Sequence, residues 1–93
     1  MNQKITISKA KTDRGWKFEV EVADKESTTN HSVTMTEKFY EGLNIQEDPE
    51  EIVQKSFQFL LERESKEMIL SEFDISVISD YFPEYKRILQ SKI

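Results

Sequence analysis

Apolar and polar residues alternate with a period of two along the first third of the chain. The alternation is clear in residues 4–8 and again in residues 16–22, and it is typical of β-strands that bury one face. The connection between these segments ends at Gly15, and a glycine can adopt the positive φ that closes a short hairpin loop. The pattern therefore predicts a β-hairpin.

A third alternating segment follows a polar connection at residues 23–30. His31, Val33 and Met35 occupy every second position there and are separated by serine and threonine. This spacing predicts a third antiparallel strand. We therefore expect residues 1–36 to form a three-stranded antiparallel sheet.

The spacing of apolar residues changes from that of strands to that of helices at Thr36. The Thr36 hydroxyl can cap a short helix whose first turn contains Glu37, where a carboxylate suits the positive end of the helix dipole. Gly42 lies where a left-handed residue would end this helix. The segment therefore predicts one short helix, which would bury Phe39 together with Tyr40 or Leu43.

The clearest helix signal of the chain is at Asp48 and Pro49. Asp48 is a suitable N-cap, and Pro49 suits the first helical position. At about 100° per residue, the apolar face of the following segment covers roughly 200° of the helix surface. The residues on this face are Ile52, Val53, Ser56, Phe57, Phe59, Leu60 and Leu61. We predict a central helix over residues 49–64 that packs both on the sheet and on the segments after it.

The last third of the chain predicts short helices separated by breaks. Ser65 and Asp74 can act as the N-caps of two helices. The apolar residues of these helices would be Met68, Ile69, Leu70 and Phe73 in the first, and Ile75, Ile78, Tyr81 and Phe82 in the second. Pro83 has to lie in the first turn of a helix or kink it, and helical spacing continues from Tyr85.

These elements predict one α+β domain over residues 1–93. A three-stranded antiparallel sheet in residues 1–36 would be followed by a helical part, residues 37–93, packed on one face of the sheet. Leu, Ile, Val and Phe make up 25 of the 93 residues, which is enough for one core and too few for two. The chain has no cysteine, which excludes thiol catalysis and thiolate metal sites.

No apolar run approaches the roughly 18 residues of a membrane span. The first residues also lack the apolar core of a signal peptide. We therefore expect a soluble, cytoplasmic protein that makes no membrane contact.

A resemblance to a known family lies in the second half of the chain. The segments FQFLLERESKEMIL (residues 57–70) and FDISVISDYFPEY (residues 73–85) resemble a recurring stretch of a small prokaryotic protein family with no assigned function. The positions that carry the resemblance are Phe59, Leu60, Leu61, Glu62, Arg63, Glu64, Ile69, Leu70, Phe73, Asp74, Ile78, Tyr81, Phe82, Pro83 and Tyr85. The resemblance implies a shared fold, and it implies no catalytic residues.

The candidate chemical groups point away from an enzyme. His31 is the only histidine, and a general base or a metal site needs further groups held close to it. The sequence contains no Gly-rich phosphate loop, catalytic triad order or metal-binding motif. The four carboxylates in residues 47–51 surround a helix start, where the dipole favours them, and they lack the spacing of a calcium loop. We therefore assign no catalytic residue, no metal ligand and no cofactor.

Charge is distributed unevenly in a chain whose formal net charge is −5. Residues 1–23 carry a net charge of +2, and residues 37–51 carry a net charge of −5. The hairpin therefore has a basic tip, which we define as Lys9, Lys11, Arg14 and Lys17.

Nucleic-acid binding through the basic tip is an alternative function. Trp16 lies beside the tip, and single-strand binders use aromatic rings flanked by cations. The acidic balance of the whole chain disfavours this alternative. The alternation of Trp16 with Phe18 also places the indole toward the core.

Arg63 falls within the apolar face of the predicted central helix. An unpaired guanidinium would be costly to bury there. We therefore expect one of two arrangements. Either Arg63 pairs with a carboxylate, for which Asp74 and Asp80 are the first candidates, or the helix has ended and the aliphatic stem of Arg63 covers apolar surface while its guanidinium stays in water.

Contact with another protein is the function that remains after this elimination. The sheet has two edges, and the basic tip is a speculative contact surface. The tip also complements acidic residues 37–51, so weak self-association that falls as salt rises is an alternative. A tight dimer would instead use the C-terminal helices around Tyr81, Tyr85 and Ile88.

Overall fold

The computed structural model describes residues 3–90, which form four strands and four α-helices. The strands are β1 (Lys4–Lys11), β2 (Gly15–Ala23), β3 (Thr28–Thr36) and β4 (Glu72–Asp74). The helices are α1 (Glu37–Leu43), α2 (Pro49–Leu61), α3 (Val77–Tyr81) and α4 (Tyr85–Gln90), with a 3-10 turn, Lys66–Met68, between α2 and β4. The predicted α+β class is confirmed. Within residues 3–90, no helix has the length and apolar character needed to cross a membrane.

Strands β1, β2 and β3 form the antiparallel meander that the alternating pattern predicts. Phe18 in β2 lies opposite Val33 in β3. Phe18, Val20 and Val22 are buried, whereas Glu19 between them is exposed. The buried face packs against the helices, and the other face of the sheet is polar.

Strand β4 makes the sheet larger than predicted. It pairs with β3 in parallel, so the sheet has four strands of mixed orientation in the order β1-β2-β3-β4. The Ser32 N–H donates to the Ser71 carbonyl at 2.8 Å, and the Ile75 N–H donates to the Thr34 carbonyl at 2.8 Å. These bonds satisfy backbone N–H and carbonyl groups of β3 that would be unpaired if β3 were the edge strand of a three-stranded antiparallel sheet.

The segment around Leu70 is extended, although its apolar spacing predicted a helix. Only Lys66–Met68 forms a 3-10 turn, and Ile69 already has extended dihedrals, with φ −78° and ψ 135°. The extended chain lets Ile69 enter the core. It also places the Phe73 ring 6.2 Å from the ring of Phe57 in α2. Contact with β3 and α2 therefore overrides the local helical spacing.

Gly15 is required in the β1–β2 hairpin for a steric reason. Its φ is not positive, so the predicted left-handed role is wrong. A Cβ on Gly15 would instead lie 2.0 Å from the carbonyl oxygen of Met35 in β3. The loop is closed by the Thr12 N–H, which donates to the Gly15 carbonyl at 2.9 Å. Glycine is needed here because any side chain would collide with the neighbouring backbone.

Helix α1 begins as predicted and ends differently. The Thr36 Oγ1 accepts a hydrogen bond from the Phe39 N–H at 3.0 Å, which confirms Thr36 as the N-cap. Gly42 lies inside the helix, and the left-handed residue that ends it is Asn44, with φ 56°. Asparagine is the residue other than glycine that adopts this conformation most readily.

Helix α2 is the central helix of the fold. It follows Asp48 and starts at Pro49, as predicted, but it ends at Leu61 rather than at residue 64. Its buried residues are Pro49, Ile52, Val53, Ser56, Phe57, Phe59 and Leu60. This face contacts both the sheet and α4, so the predicted two-sided packing is confirmed.

Pro83 lies between two separate short helices, α3 and α4. Aromatic contacts hold both ends of this connection against α2. The ring centroid of Phe59 lies 5.5 Å from that of Phe82 and 5.4 Å from that of Tyr85. These contacts complete the core between α2 and the C-terminal helices.

Candidate interaction surface

The lysines of the basic tip form ion pairs within the chain. The pairs are Lys9–Glu50 at 3.2 Å, Lys11–Glu37 at 2.6 Å and Lys17–Glu19 at 3.9 Å. The fourth residue, Arg14, contributes its backbone carbonyl, which accepts from the Glu37 N–H at 2.8 Å. The complementary charges of the tip and of residues 37–51 therefore meet inside one molecule. The pairs are solvent-exposed, and such pairs stabilise a fold by only about 0 to 1 kcal/mol each.

The Trp16 ring is partly covered by its neighbours. It packs edge-on against Tyr40, with ring centroids 5.3 Å apart, and the Lys11 Nζ lies 5.1 Å from the ring centre. Trp16 is half-buried on the helix side of the sheet, as its alternation with Phe18 predicted. A base that stacked on this ring would compete with the Tyr40 contact.

His31 is buried, with 3% of its surface exposed, and both ring nitrogens have partners. Nδ1 lies 2.8 Å from the Leu70 carbonyl oxygen, and because a carbonyl only accepts, Nδ1 carries the proton. Nε2 lies 2.9 Å from the Thr29 hydroxyl and accepts from it in this tautomer. The imidazole also packs on Phe57, with ring centroids 5.4 Å apart. His31 therefore connects β3 to the extended chain before β4.

Ser56 and Tyr85 form a buried hydroxyl pair. The Ser56 Oγ donates to the Ile52 carbonyl at 2.6 Å, which uses its only proton. The contact between Ser56 and Tyr85 is therefore donated by the Tyr85 hydroxyl. Burial raises the pKa of the Tyr85 phenol above its ordinary value. Both hydroxyls serve to satisfy polar atoms in the core.

Lys66 is a buried cation that the sequence pattern did not reveal. It is 4% exposed, and its Nζ donates to Asp24 at 2.8 Å and to Glu67 at 2.9 Å. The bond from Lys66 holds the pKa of the Asp24 carboxyl at about 2, and the Asp24 bond raises the pKa of the Lys66 amine. A nucleophilic lysine needs the opposite shift, toward the neutral amine. Lys66 therefore joins the β2–β3 loop to the 3-10 turn.

Arg63 lies beyond the end of α2, which confirms one of its two predicted alternatives. The guanidinium lies 3.8 Å from the centre of the Phe59 ring and donates to the Phe59 carbonyl at 3.0 Å. The acidic partners of Arg63 are Glu62, at 3.4 Å, and Glu84, at 3.8 Å, rather than Asp74 or Asp80. The Arg63 guanidinium therefore covers the Phe59 ring, and neighbouring carboxylates balance its charge.

The carboxylates of residues 47–51 are not arranged as a cation site. Glu47 pairs with Lys55, and Glu50 pairs with Lys9. Among residues 3–90, no cluster of three or more histidine, aspartate or glutamate side chains could hold a metal ion.

A groove of about 230 Å³ lies between the end of α2, the 3-10 turn, β4 and α3. We call it the apolar groove and define it by Glu64, Met68, Leu70, Phe73, Val77 and Tyr81. Met68 is 68% exposed, Tyr81 is 67% exposed and Leu70 is 49% exposed. Three large apolar side chains therefore border one cavity while facing solvent, an arrangement that is typical of a contact surface.

The surroundings of the apolar groove are acidic. Residues 60–84 contain seven acidic and two basic residues. Glu64 lines the groove, and Asp80 precedes Tyr81, which also lines it. In the described part of the chain these two carboxylates take part in no ion pair, whereas the two cations, Arg63 and Lys66, are both paired.

The sequence pattern singled out the apolar residues of the groove, but it did not predict that they form one exposed surface. Tyr81 and Ile88, proposed as parts of a dimer interface, are exposed, whereas Tyr85 is fully buried. Helical spacing predicts that Met68 and Leu70 lie on the buried face of a helix, whereas both are exposed. Three consecutive apolar residues, 68–70, could have served as a signal, because an extended segment cannot bury all of them.

No protein-family model, curated protein sequence or solved structure matches the chain. The resemblance of residues 57–85 to a prokaryotic family therefore stays a prediction.

Proposed function

We propose that this small acidic protein acts in the cytoplasm by binding another protein through the apolar groove. The observation that carries the proposal is the exposure of Met68, Leu70 and Tyr81 around one cavity. Burying a large apolar side chain stabilises a contact by about 1.5 to 3 kcal/mol. Methionine adapts its shape to a partner, and tyrosine is enriched among the residues that dominate binding energy.

The positions of the polar groups support a binding protein over an enzyme. His31 has both ring nitrogens engaged, the Ser56 proton is donated to a carbonyl, and Lys66 is held as a buried cation. Each group would have to leave a bond that stabilises the fold before it could act on a substrate.

The ion pairs of the basic tip support the apolar groove over a nucleic-acid surface. Lys9 and Lys11 lie against Glu50 and Glu37. A phosphate backbone would have to displace these carboxylates and approach a chain with a net charge of −5.

Photo-crosslinking in cells of the source organism tests the proposal. A photoreactive phenylalanine analogue at position 81 should give one reproducible protein adduct, and the same analogue at position 6, on the polar face of the sheet, should not. The adduct partner is then purified and titrated against wild type, Met68→Glu and Ile88→Glu.

The Ile88→Glu variant is a matched control, because Ile88 is an exposed apolar residue outside the groove. We expect Met68→Glu to weaken binding by about tenfold or more, equivalent to about 1.4 kcal/mol, and Ile88→Glu to change it by less than about twofold. Equal effects of the two substitutions would refute the assignment of function to the groove.

A further inference from the structure

We infer that the apolar groove binds a cationic segment of a partner protein, with a large apolar side chain seated in the groove and lysine or arginine residues on either side of it. This inference rests on the proposed function and adds the chemistry of the partner.

The size of the apolar groove favours a protein side chain over a small-molecule ligand. The cavity measures about 230 Å³, whereas sites for cofactors and drug-sized ligands measure about 300 to 1,000 Å³. The exposed Met68 and Tyr81 side chains extend the apolar surface beyond the cavity. A peptide segment that inserts one anchor and lies across these two residues would use both features.

The charge around the groove determines which partner residues are favoured on either side of the apolar anchor. Arg63 and Lys66 are already neutralised by carboxylates of the same chain. Glu64 and Asp80 therefore contribute negative charge that no ion pair within residues 3–90 balances. Lysine or arginine beside the anchor would complement this charge, speed association and exclude acidic competitors.

The same charge argues against other occupants of the groove. Nucleic acids and anionic membranes would be repelled by these carboxylates. A second copy of the chain brings a net charge of −5, which opposes its approach to these carboxylates.

Selection from a random 12-residue peptide library displayed on phage tests the inference. The library is selected on the wild-type protein after depletion on Met68→Glu, so that the enriched peptides require the groove. We expect these peptides to combine leucine, isoleucine, phenylalanine or tryptophan with an excess of lysine and arginine. Their affinity should fall as salt rises, because exposed charges are screened.

Two double variants with equal net charge then separate a local effect from a global one. The first, Glu64→Gln and Asp80→Asn, neutralises the two unpaired carboxylates of the groove region. The second, Glu21→Gln and Glu41→Gln, neutralises two exposed carboxylates elsewhere. We expect the first to weaken the selected peptides by about fivefold, equivalent to about 1 kcal/mol, or roughly 0.5 kcal/mol per carboxylate. The second should weaken them by less than about twofold.

The outcomes distinguish failure of this inference from failure of the proposed function. Peptides that require Met68 but carry no basic excess, or that bind both double variants equally, would refute the cationic partner and leave the groove as a protein-binding surface. Two results would refute both proposals: enrichment of no Met68-dependent peptide, or Met68-dependent binding of the neutral dye Nile red in its place. A dimer in sedimentation that Met68→Glu dissociates would assign the groove to a second copy, and would also refute the inference.

Discussion

Replacement of Gly15 by alanine should be among the most damaging single substitutions in this fold. The added Cβ would lie 2.0 Å from the Met35 carbonyl oxygen, 2.7 Å from the Thr36 Cα and 2.9 Å from the Glu37 nitrogen. All three atoms belong to the backbone, so no rotation of a side chain can relieve the contact. Strands β2 and β3 would have to separate by more than 1 Å to reach an ordinary contact distance of 3.4 Å.

The size of the effect follows from two costs. Forcing an extra carbon into packed structure costs about 1 to 3 kcal/mol. The required shift also strains the bond from the Glu37 N–H to the Arg14 carbonyl, 2.8 Å, and loss of a backbone hydrogen bond costs about 0.5 to 1.5 kcal/mol. We therefore expect a loss of about 1.5 to 4.5 kcal/mol, centred near 3 kcal/mol, from a total stability of about 5 to 14 kcal/mol for a chain of this length.

Gly42→Ala provides the matched control. Gly42 lies inside α1, and its φ is not positive. An added Cβ would have no atom of residues 3–90 within 4 Å, apart from its chain neighbours and the backbone of α1 itself. Alanine should therefore stabilise the protein by about 0.5 to 1 kcal/mol. If Gly42 were the left-handed end of α1, as its sequence position suggests, alanine would instead destabilise by about 1 to 2 kcal/mol.

Urea denaturation followed by Trp16 fluorescence, and thermal denaturation followed by far-ultraviolet circular dichroism, measure both variants. A loss of 3 kcal/mol corresponds to a fall in Tm of roughly 12 to 24 °C for a domain of this size. The steric argument would be wrong if Gly15→Ala cost less than about 1 kcal/mol, or if the two alanine variants shifted stability in the same direction.

Three further predictions concern the core and the buried polar groups. Leu60→Ala should destabilise by about 2 to 5 kcal/mol, while Lys55→Ala, in an exposed ion pair, should cost no more than about 1 kcal/mol; equal urea midpoints would contradict the observed phase of α2. Ser56→Ala should cost more than Tyr85→Phe, because the first leaves a buried phenol without an acceptor and the second leaves the serine bonded to its own helix; the reverse order in thermal denaturation would refute the assigned donor. Asp24 has its pKa lowered from 3.8 to about 2, so its contribution to stability is present above about pH 4 and is lost as pH falls toward 2. Asp24→Asn should therefore lose less stability than wild type between pH 5 and pH 2.5 in urea titrations, and identical pH profiles would contradict the ion pair.

The meander and the central helix could be predicted because their signals are local. In β2 the alternation of Phe18, Val20 and Val22 with charged residues matches the two-residue period of a strand. In α2 the N-cap and proline at residues 48–49 mark the start, and the apolar face follows the 3.6-residue period. These patterns require no knowledge of distant residues.

Strand β4 could not be predicted because it is three residues long and depends on a distant partner. Its hydrogen bonds go to β3, about 40 residues earlier in the chain. The burial of Lys66 has the same origin, since Asp24 lies 42 residues away. Local periodicity carries no information about the pairing of β4 with β3 or about the pairing of Lys66 with Asp24. These two contacts override the helix that the periodicity predicts around Leu70.

The segment that departs from the predicted helix is also the segment that forms the apolar groove. In extended chain neighbouring side chains point to opposite sides, so burial of Ile69 turns Leu70 outward and leaves Met68 on the 3-10 turn in solvent. The fold gains little from an apolar residue at either position, because neither is buried. We therefore expect Met68→Glu to leave the free energy of unfolding within about 0.5 kcal/mol of wild type while it weakens the proposed binding at the groove by about tenfold or more. A large loss of stability in this variant would show that Met68 supports the fold, and would withdraw the strongest support for a binding role.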